Sequence, residues 1–222
     1  MTIFVGKSAR DMKDYLYLNH ANDYAQSVGA ETHHPMVNVV HFDELGPIAH
    51  TLNKMGDVYA FFVQDNFPEG GRYGMGGYDT SKGSLVAVSP GQIVGKEDNG
   101  TREVYHGWTL HFEAEFMRGT AFEQRLDDYH YFSYNVNEAL HTTEGEKQLL
   151  WQLMWMIRRF IQRFLIGRAK SLLVSGLTAT QTSDTLGFEY PPALHPLLQE
   201  ACRPPALELY RLAEDQVIFY CY

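Results

Sequence analysis

Four short apolar runs crowded into the first half of the chain set the tightest limit on its fold. MVNVVHF (36–42), VYAFFVQ (58–64), SLVAV (84–88) and VYHGWTLHF (104–112) are rich in β-branched and aromatic residues and predict strands. Between them, FPEGGRYGMGGYDTSKG (67–83) and SPGQIVGKEDNG (89–100) carry turn chemistry and no helical period. A parallel pair needs a long, usually helical, crossover. The spacing therefore predicts an antiparallel sandwich or barrel. The glycines of 70–77 are not a phosphate loop, because no strand–loop–helix order with a following Lys-Ser/Thr exists there.

The second half changes period. A weak helical pattern near Ala9–Leu18 precedes the strands, and EFMRGTAFEQRL (115–126) predicts a short helix followed by an aromatic connector over 127–140. Thr143 and Glu146 form a Thr-x-x-Glu capping box, the mark of a helix start. Apolar residues then recur at 150, 153, 154, 157, 160, 161, 164, 165, 169, 172 and 173, a helical stripe that ends at Gly176. Trp151 and Trp155 lie on one face beside it. So long a stripe needs a partner surface, either the β domain or a second subunit. Beyond it a short polar helix closes at Leu186-Gly187-Phe188, another apolar pattern begins after Tyr190, and AEDQVIFYCY forms a tail.

Composition excludes several classes. Of 222 residues, 45% are hydrophobic and 14% aromatic, which supports a buried core rather than disorder. No uninterrupted apolar run reaches the ~18 residues of a membrane span, and no secretory leader pattern opens the chain. Cys202 and Cys221 are the only cysteines, too few for a disulfide framework or a four-thiolate zinc site, and fit a reducing cytoplasm. The net charge of −9 is unevenly spread. Residues 1–156 hold 11 Lys+Arg against 21 Asp+Glu, whereas 157–176 hold Arg158, Arg159, Arg163, Arg168 and Lys170 with no acid. Phosphate contact, if any, belongs to this basic helix; a solvated basic face is the plainer reading. Adsorption to anionic lipid is opposed by the acidic domain beside it.

Two stretches in series resemble AraC-type transcriptional regulators. GSLVAVSPGQI (83–93), YHGWTLHFEAEFM (105–117) and LDDYHYFSYNVNEALH (126–141) resemble the cupin-type sensor of that family. FLIGRAKSLLVSGLTATQTSDTLGFEY (164–190) resembles its linker helix and second helix-turn-helix, through Ala169, Leu172, Leu173 and Leu186-Gly187-Phe188. The resemblance implies an α+β fold with four parts. A cupin-like double-stranded β-helix sensor spans 1–140, and a linker and dimerisation helix spans 143–176. A partial helix-turn-helix unit spans 177–211, and a tail spans 212–222. It also implies DNA contacts at Arg158, Arg159, Arg168, Lys170, Tyr190, His195 and Gln199. Departures are equally plain. One helix-turn-helix is visible instead of two. Ala179, Thr182 and Ser183 stand where its core should be apolar. Pro196 interrupts the presumed reading helix, PPALHPLLQEA. Specific DNA binding is therefore expected to be weak or absent.

Site candidates follow from the same residues. His106 and His111 are five apart on a strand and point to opposite faces, and His33 and His34 are adjacent, so neither pair chelates a metal well. No metal and no cofactor is expected, nor a Ser-His-Asp or Cys-His signature. His106 and Trp108 are two apart and predicted to share a face. In sugar-sensing members a matching Tyr-His-x-Trp motif lines the ligand pocket, which implies contact with a small ligand such as a sugar here. The alternative is that Trp108 fills the core and His106 makes one internal hydrogen bond. The expected function is a cytoplasmic, homodimeric, ligand-responsive regulator, not an enzyme. The alternatives are a degenerate relative that senses and dimerises without specific DNA binding, and a cupin enzyme.

Overall fold

In the computed structural model, residues 15–65, 71–73, 76–77, 84–120, 123 and 140–188 are described. In chain order the elements begin with β1 (Tyr15–Leu18), α1 (Asp23–Val28), β2 (Val37–His41), β3 (Ile48–Ala49), β4 (Leu52–Met55) and β5 (Val58–Gln64). They continue with β6 (Arg72–Tyr73), β7 (Gly76–Gly77), β8 (Ser84–Val88), β9 (Ile93–Gly95), β10 (Arg102–Glu103) and β11 (Gly107–Glu113). β12 (Leu140–His141), α2 (Glu144–Val174) and α3 (Ala179–Thr185) complete the set. One sheet has the order β1-β4-β9-β6-β7, a second β12-β8-β5-β11-β2, and β3 pairs with β10. All these pairs are antiparallel except β1 with β4. The fold is thus mixed α+β with antiparallel sheets and one long helix.

Side-chain alternation puts the core between the two larger sheets. Val58, Ala60 and Phe62 of β5 share a face, and the register sets Ala60 and Phe62 beside His111 and Thr109 of β11. These β5 residues join Leu18, Met55 and Val94 of the first sheet and Val40, Val86 and Val88 of the second in one buried cluster. Helix α1 closes one end of the core, burying Tyr24 and Ala25. At Gly107, φ of +114° and the Asp43 carboxylate accepting its N–H at 3.1 Å set where β11 begins. The strand therefore starts at 107 rather than 104.

Two predicted elements differ. The helical pattern over Ala9–Leu18 gives way to a strand at Tyr15–Leu18, because Tyr15 to Leu18 pair with Leu52 to Met55, a partner 37 residues away that local propensity does not encode. The helix expected over 115–126 is reduced to a 3₁₀ turn at Ala114–Met117, after which Arg118 turns extended and Gly119 adopts φ of +75°. The remainder of that segment lies mainly outside the described residues.

Helix α2 starts and stops as its sequence predicts. The Thr143 N–H donates to Glu146 Oε2 at 2.8 Å while the Glu146 N–H donates to Thr143 Oγ1 at 3.3 Å, a reciprocal capping box. At the other end Gly176 has φ of +97°, and the N–H groups of Leu177 and Gly176 reach the carbonyls of Leu172 and Leu173, a Schellman closure. The apolar pattern resolves into two stripes. Met154, Ile161, Leu165 and Ala169 are buried, whereas Leu149, Leu153, Met156, Phe160 and Phe164 are exposed at spacings of four, three, four and four.

The chain forms two compact units that divide inside α2, between Arg159 and Phe160. In the first unit, α2 is tied down by Lys147, whose Nζ donates to Asp65 Oδ1 at 2.8 Å, and by Arg158, described below. In the second, α3 carries a complete capping box between Thr178 and Gln181. Gly187, at φ of +81°, and Phe188 close α3 through N–H bonds to the Asp184 and Ser183 carbonyls. Thr182 and Ser183 are fully buried, and their hydroxyls have no hydrogen-bond partner among the described residues. Each such hydroxyl costs about 1–3 kcal/mol.

Candidate functional site

A polar amide stands where β5 should end its apolar face. Gln64 follows Val58, Ala60 and Phe62 on the core side, is only 5% exposed, and its side chain makes no hydrogen bond to a described residue. It borders a cavity of about 50 Å³ in the first unit, several times the ~10–15 Å³ that one water requires. Ile48, Phe62, Val86 and Val94 supply apolar wall, and Asn53, Thr51, His50, Tyr24 and Tyr105 supply polar groups. Arg72 and Lys96 complete it, and among the described residues no Asp or Glu lines it.

Strands β3, β4, β5, β6, β8 and β9 all contribute to this cavity, and Gly95 permits a close approach. Its φ is +115°, and a Cβ there would overlap the Thr51 carbonyl oxygen. Buried Asn53, on β4, accepts from Thr51 Oγ1 at 3.2 Å, and no described residue pairs with its amide nitrogen. The Gln64 amide and the Asn53 amide nitrogen thus have hydrogen-bonding capacity left beside the cavity.

One side is rigid. His50 Nε2 faces Glu103 Oε1 at 3.0 Å, and Tyr105 Oη lies 2.8 Å from His50 Nδ1. A carboxylate only accepts, so Nε2 carries the proton and Nδ1 accepts from the Tyr105 hydroxyl. Burial, and then the Glu103 charge, push the Tyr105 hydroxyl pKa well above its usual value, so it stays protonated. With its proton committed to His50, the Tyr105 oxygen presents a lone pair. Tyr24 is likewise raised, by burial and then by Tyr105.

The residues singled out from sequence lie elsewhere. His106 precedes β11, is half exposed, and sits 2.6 Å from Asp43 Oδ1. Trp108 is buried on the opposite face of the β5–β11 pair from Phe62 and stacks on His41, centroids 3.9 Å apart. Neither borders the cavity. Among the described residues no cluster of three or more His, Cys, Asp or Glu is placed to hold a metal ion. Buried His111 stacks on Tyr24 at 4.7 Å, and burial alone lowers its pKa to about 3.

The basic helix is partly used within the molecule. Arg158 Nη1 donates to both Glu44 carboxylate oxygens at 2.8 Å, and its Nε donates to His33 Nε2 at 3.1 Å. Burial pushes the Glu44 carboxyl up, but its bonds and charge contact with Arg158 and His41 hold it below the usual value. Burial, and then the Arg158 charge, lower His33 to about 4. Arg159 lies over the Trp155 ring at 5.3 Å. Arg163, Arg168 and Lys170 are exposed. Tyr190, His195, Gln199 and Pro196 lie outside the described residues.

Sequence reasoning passed over His50, Gln64 and Tyr105. The available signal was Gln64 itself, a polar residue continuing the Val58-Ala60-Phe62 face. No family model, curated protein or solved structure matches the chain.

Proposed function

We propose that this chain is a ligand-responsive, non-catalytic regulator of the AraC type that acts in the cytoplasm. The β unit serves as a cupin-like double-stranded β-helix sensor, and α2 links and dimerises the protein. The observation that carries this reading is the cavity with the unpaired Gln64 amide and the free Asn53 amide nitrogen between apolar walls, the make-up of a small-molecule site. The exposed stripe Leu149, Leu153, Met156, Phe160 and Phe164 supports a homodimer, because two copies can cover it mutually. No described helix is long and apolar enough to cross a membrane.

A second reading, a relative that senses and dimerises without specific DNA binding, draws on two observations. Thr182 and Ser183 occupy core positions with unpaired hydroxyls, and Arg158 is held by Glu44 and His33. Fluorescence-anisotropy titration against the duplex upstream of its own gene and a random duplex, at near-physiological salt, separates the two. A preference of ~1000-fold or more for the upstream duplex supports the regulator. Equal, salt-sensitive binding to both supports the relative.

A further inference from the structure

We propose that the cavity takes a small organic monocarboxylate. Arg72 and Lys96 receive its charge, Gln64 and Asn53 donate to its oxygens, and Ile48, Phe62, Val86 and Val94 cover its apolar body. This rests on the cavity being the ligand site. The charge pattern carries it. Residues 1–156 hold ten more acids than bases, yet among the described residues lining the cavity the charged ones, Arg72 and Lys96, are both cations. Such a mouth concentrates anions against the field of the surrounding domain.

Both cations can change partner at little cost. Arg72 Nη2 stands 3.4 Å from Glu97 Oε1, with each side chain about half exposed. Lys96 Nζ is 3.9 Å from Glu103 Oε1, an oxygen already engaged by His50 at 3.0 Å. Long ion pairs whose carboxylates stand in solvent contribute little, so a carboxylate entering between the two cations displaces little. Deeper in, Gln64 is nineteen-twentieths buried, and its unpaired amide and the Asn53 amide nitrogen supply N–H donors. The Tyr105 oxygen, its proton given to His50, accepts from any hydroxyl on the ligand body. A phosphate ester would bring up to two charges against a wall formed by Ile48, Phe62, Val86 and Val94, a costlier burial than that of one carboxylate. A neutral polyol would leave the cations without purpose.

Isothermal titration of the full chain with matched pairs decides the matter: butyrate with butyramide, benzoate with benzamide, and inorganic phosphate and glucose beside them. At least one carboxylate should bind, its amide about tenfold or more weaker. Arg72→Gln and Lys96→Gln, both at the solvent-facing mouth, should each weaken it about tenfold. Gln64→Leu should do the same. Near-UV circular dichroism checks folding, and the two mouth variants remain informative if Gln64→Leu does not fold. Tight binding of an amide or of glucose, lost in Gln64→Leu, keeps the cavity as the ligand site and overturns the carboxylate. Phosphate binding ahead of every carboxylate overturns it likewise. Carboxylate binding indifferent to all three substitutions, or no binding by any compound at millimolar concentration, overturns both readings.

Discussion

His111 should make the β unit acid-sensitive in a way one substitution measurably relieves. Its ring is fully buried between Tyr24, stacked at 4.7 Å, and the edge of Phe62 at 5.5 Å, and neither ring nitrogen has a hydrogen-bond partner among the described residues. Folded, its pKa falls from the usual 6.5 to about 3; His33, held by burial and the neighbouring Arg158, falls to about 4. Both pKa values are depressed, so the unfolded chain takes up protons that the folded chain refuses. The stability they provide is complete above 6.5 and is lost as pH falls from there toward 4 for His33 and 3 for His111. Each contributes a slope of about 1.4 kcal/mol per pH unit below 6, so the pair gives about 2.7. Against a total of about 5–15 kcal/mol, the loss of about 5 kcal/mol by pH 4.5 removes a third or more of the stability. His111→Phe keeps the aromatic stack, removes the titrating group, and should lower the slope by about 1.4 kcal/mol per pH unit, with equal or greater stability at pH 7.5; burial also lowers His34, whose contribution remains in both proteins. Urea unfolding between pH 4.5 and 7.5, followed by near-UV circular dichroism, measures both slopes. Equal slopes in the two proteins would refute the argument that His111 is neutral and buried.

The other predictions are narrower. Gly95→Ala should cost about 2–4 kcal/mol, because it adds a Cβ against the Thr51 carbonyl at a backbone angle that L-residues avoid; thermal unfolding reads it. Leu153→Glu with Phe160→Glu should turn a dimer into monomers by light scattering at tens of micromolar, and an unmodified protein that is already monomeric sinks the dimer. Arg158→Met should destabilise the β unit by about 1–3 kcal/mol and leave DNA affinity unchanged, since its guanidinium is engaged by Glu44 and His33. Arg168→Gln with Lys170→Gln should instead lower the salt slope of non-specific DNA binding by about 1 for each charge removed.

What was legible in the sequence was local. The alternation in VYAFFVQ and SLVAV placed β5 and β8, and the capping box at Thr143 and the stop at Gly176 bounded α2, because each depends on residues a few positions apart. What was not legible depends on distant partners. β1 exists through parallel pairing with β4, and the two-residue strands β3 and β10 through each other. The stripe of α2 read as one surface, yet Met154 is buried and Leu153 beside it is exposed, a division set by packing rather than periodicity. The cavity was hidden for the same reason. His50, Gln64 and Tyr105 come from three separate segments with no common motif, whereas His106 and Trp108 stood out through a motif and lie apart from it.

The central claim is that the β-unit cavity is the place where this protein recognises a small molecule. Its most direct measurement is the ¹H–¹⁵N spectrum of the Gln64 and Asn53 side-chain amides while metabolite-sized acids, amides and polyols are titrated in. A binder should shift these two amide pairs in a saturable way while the amide of exposed Gln152 stays still. Binders that shift only amides remote from the cavity, or a library that leaves Gln64 and Asn53 unmoved, would contradict it.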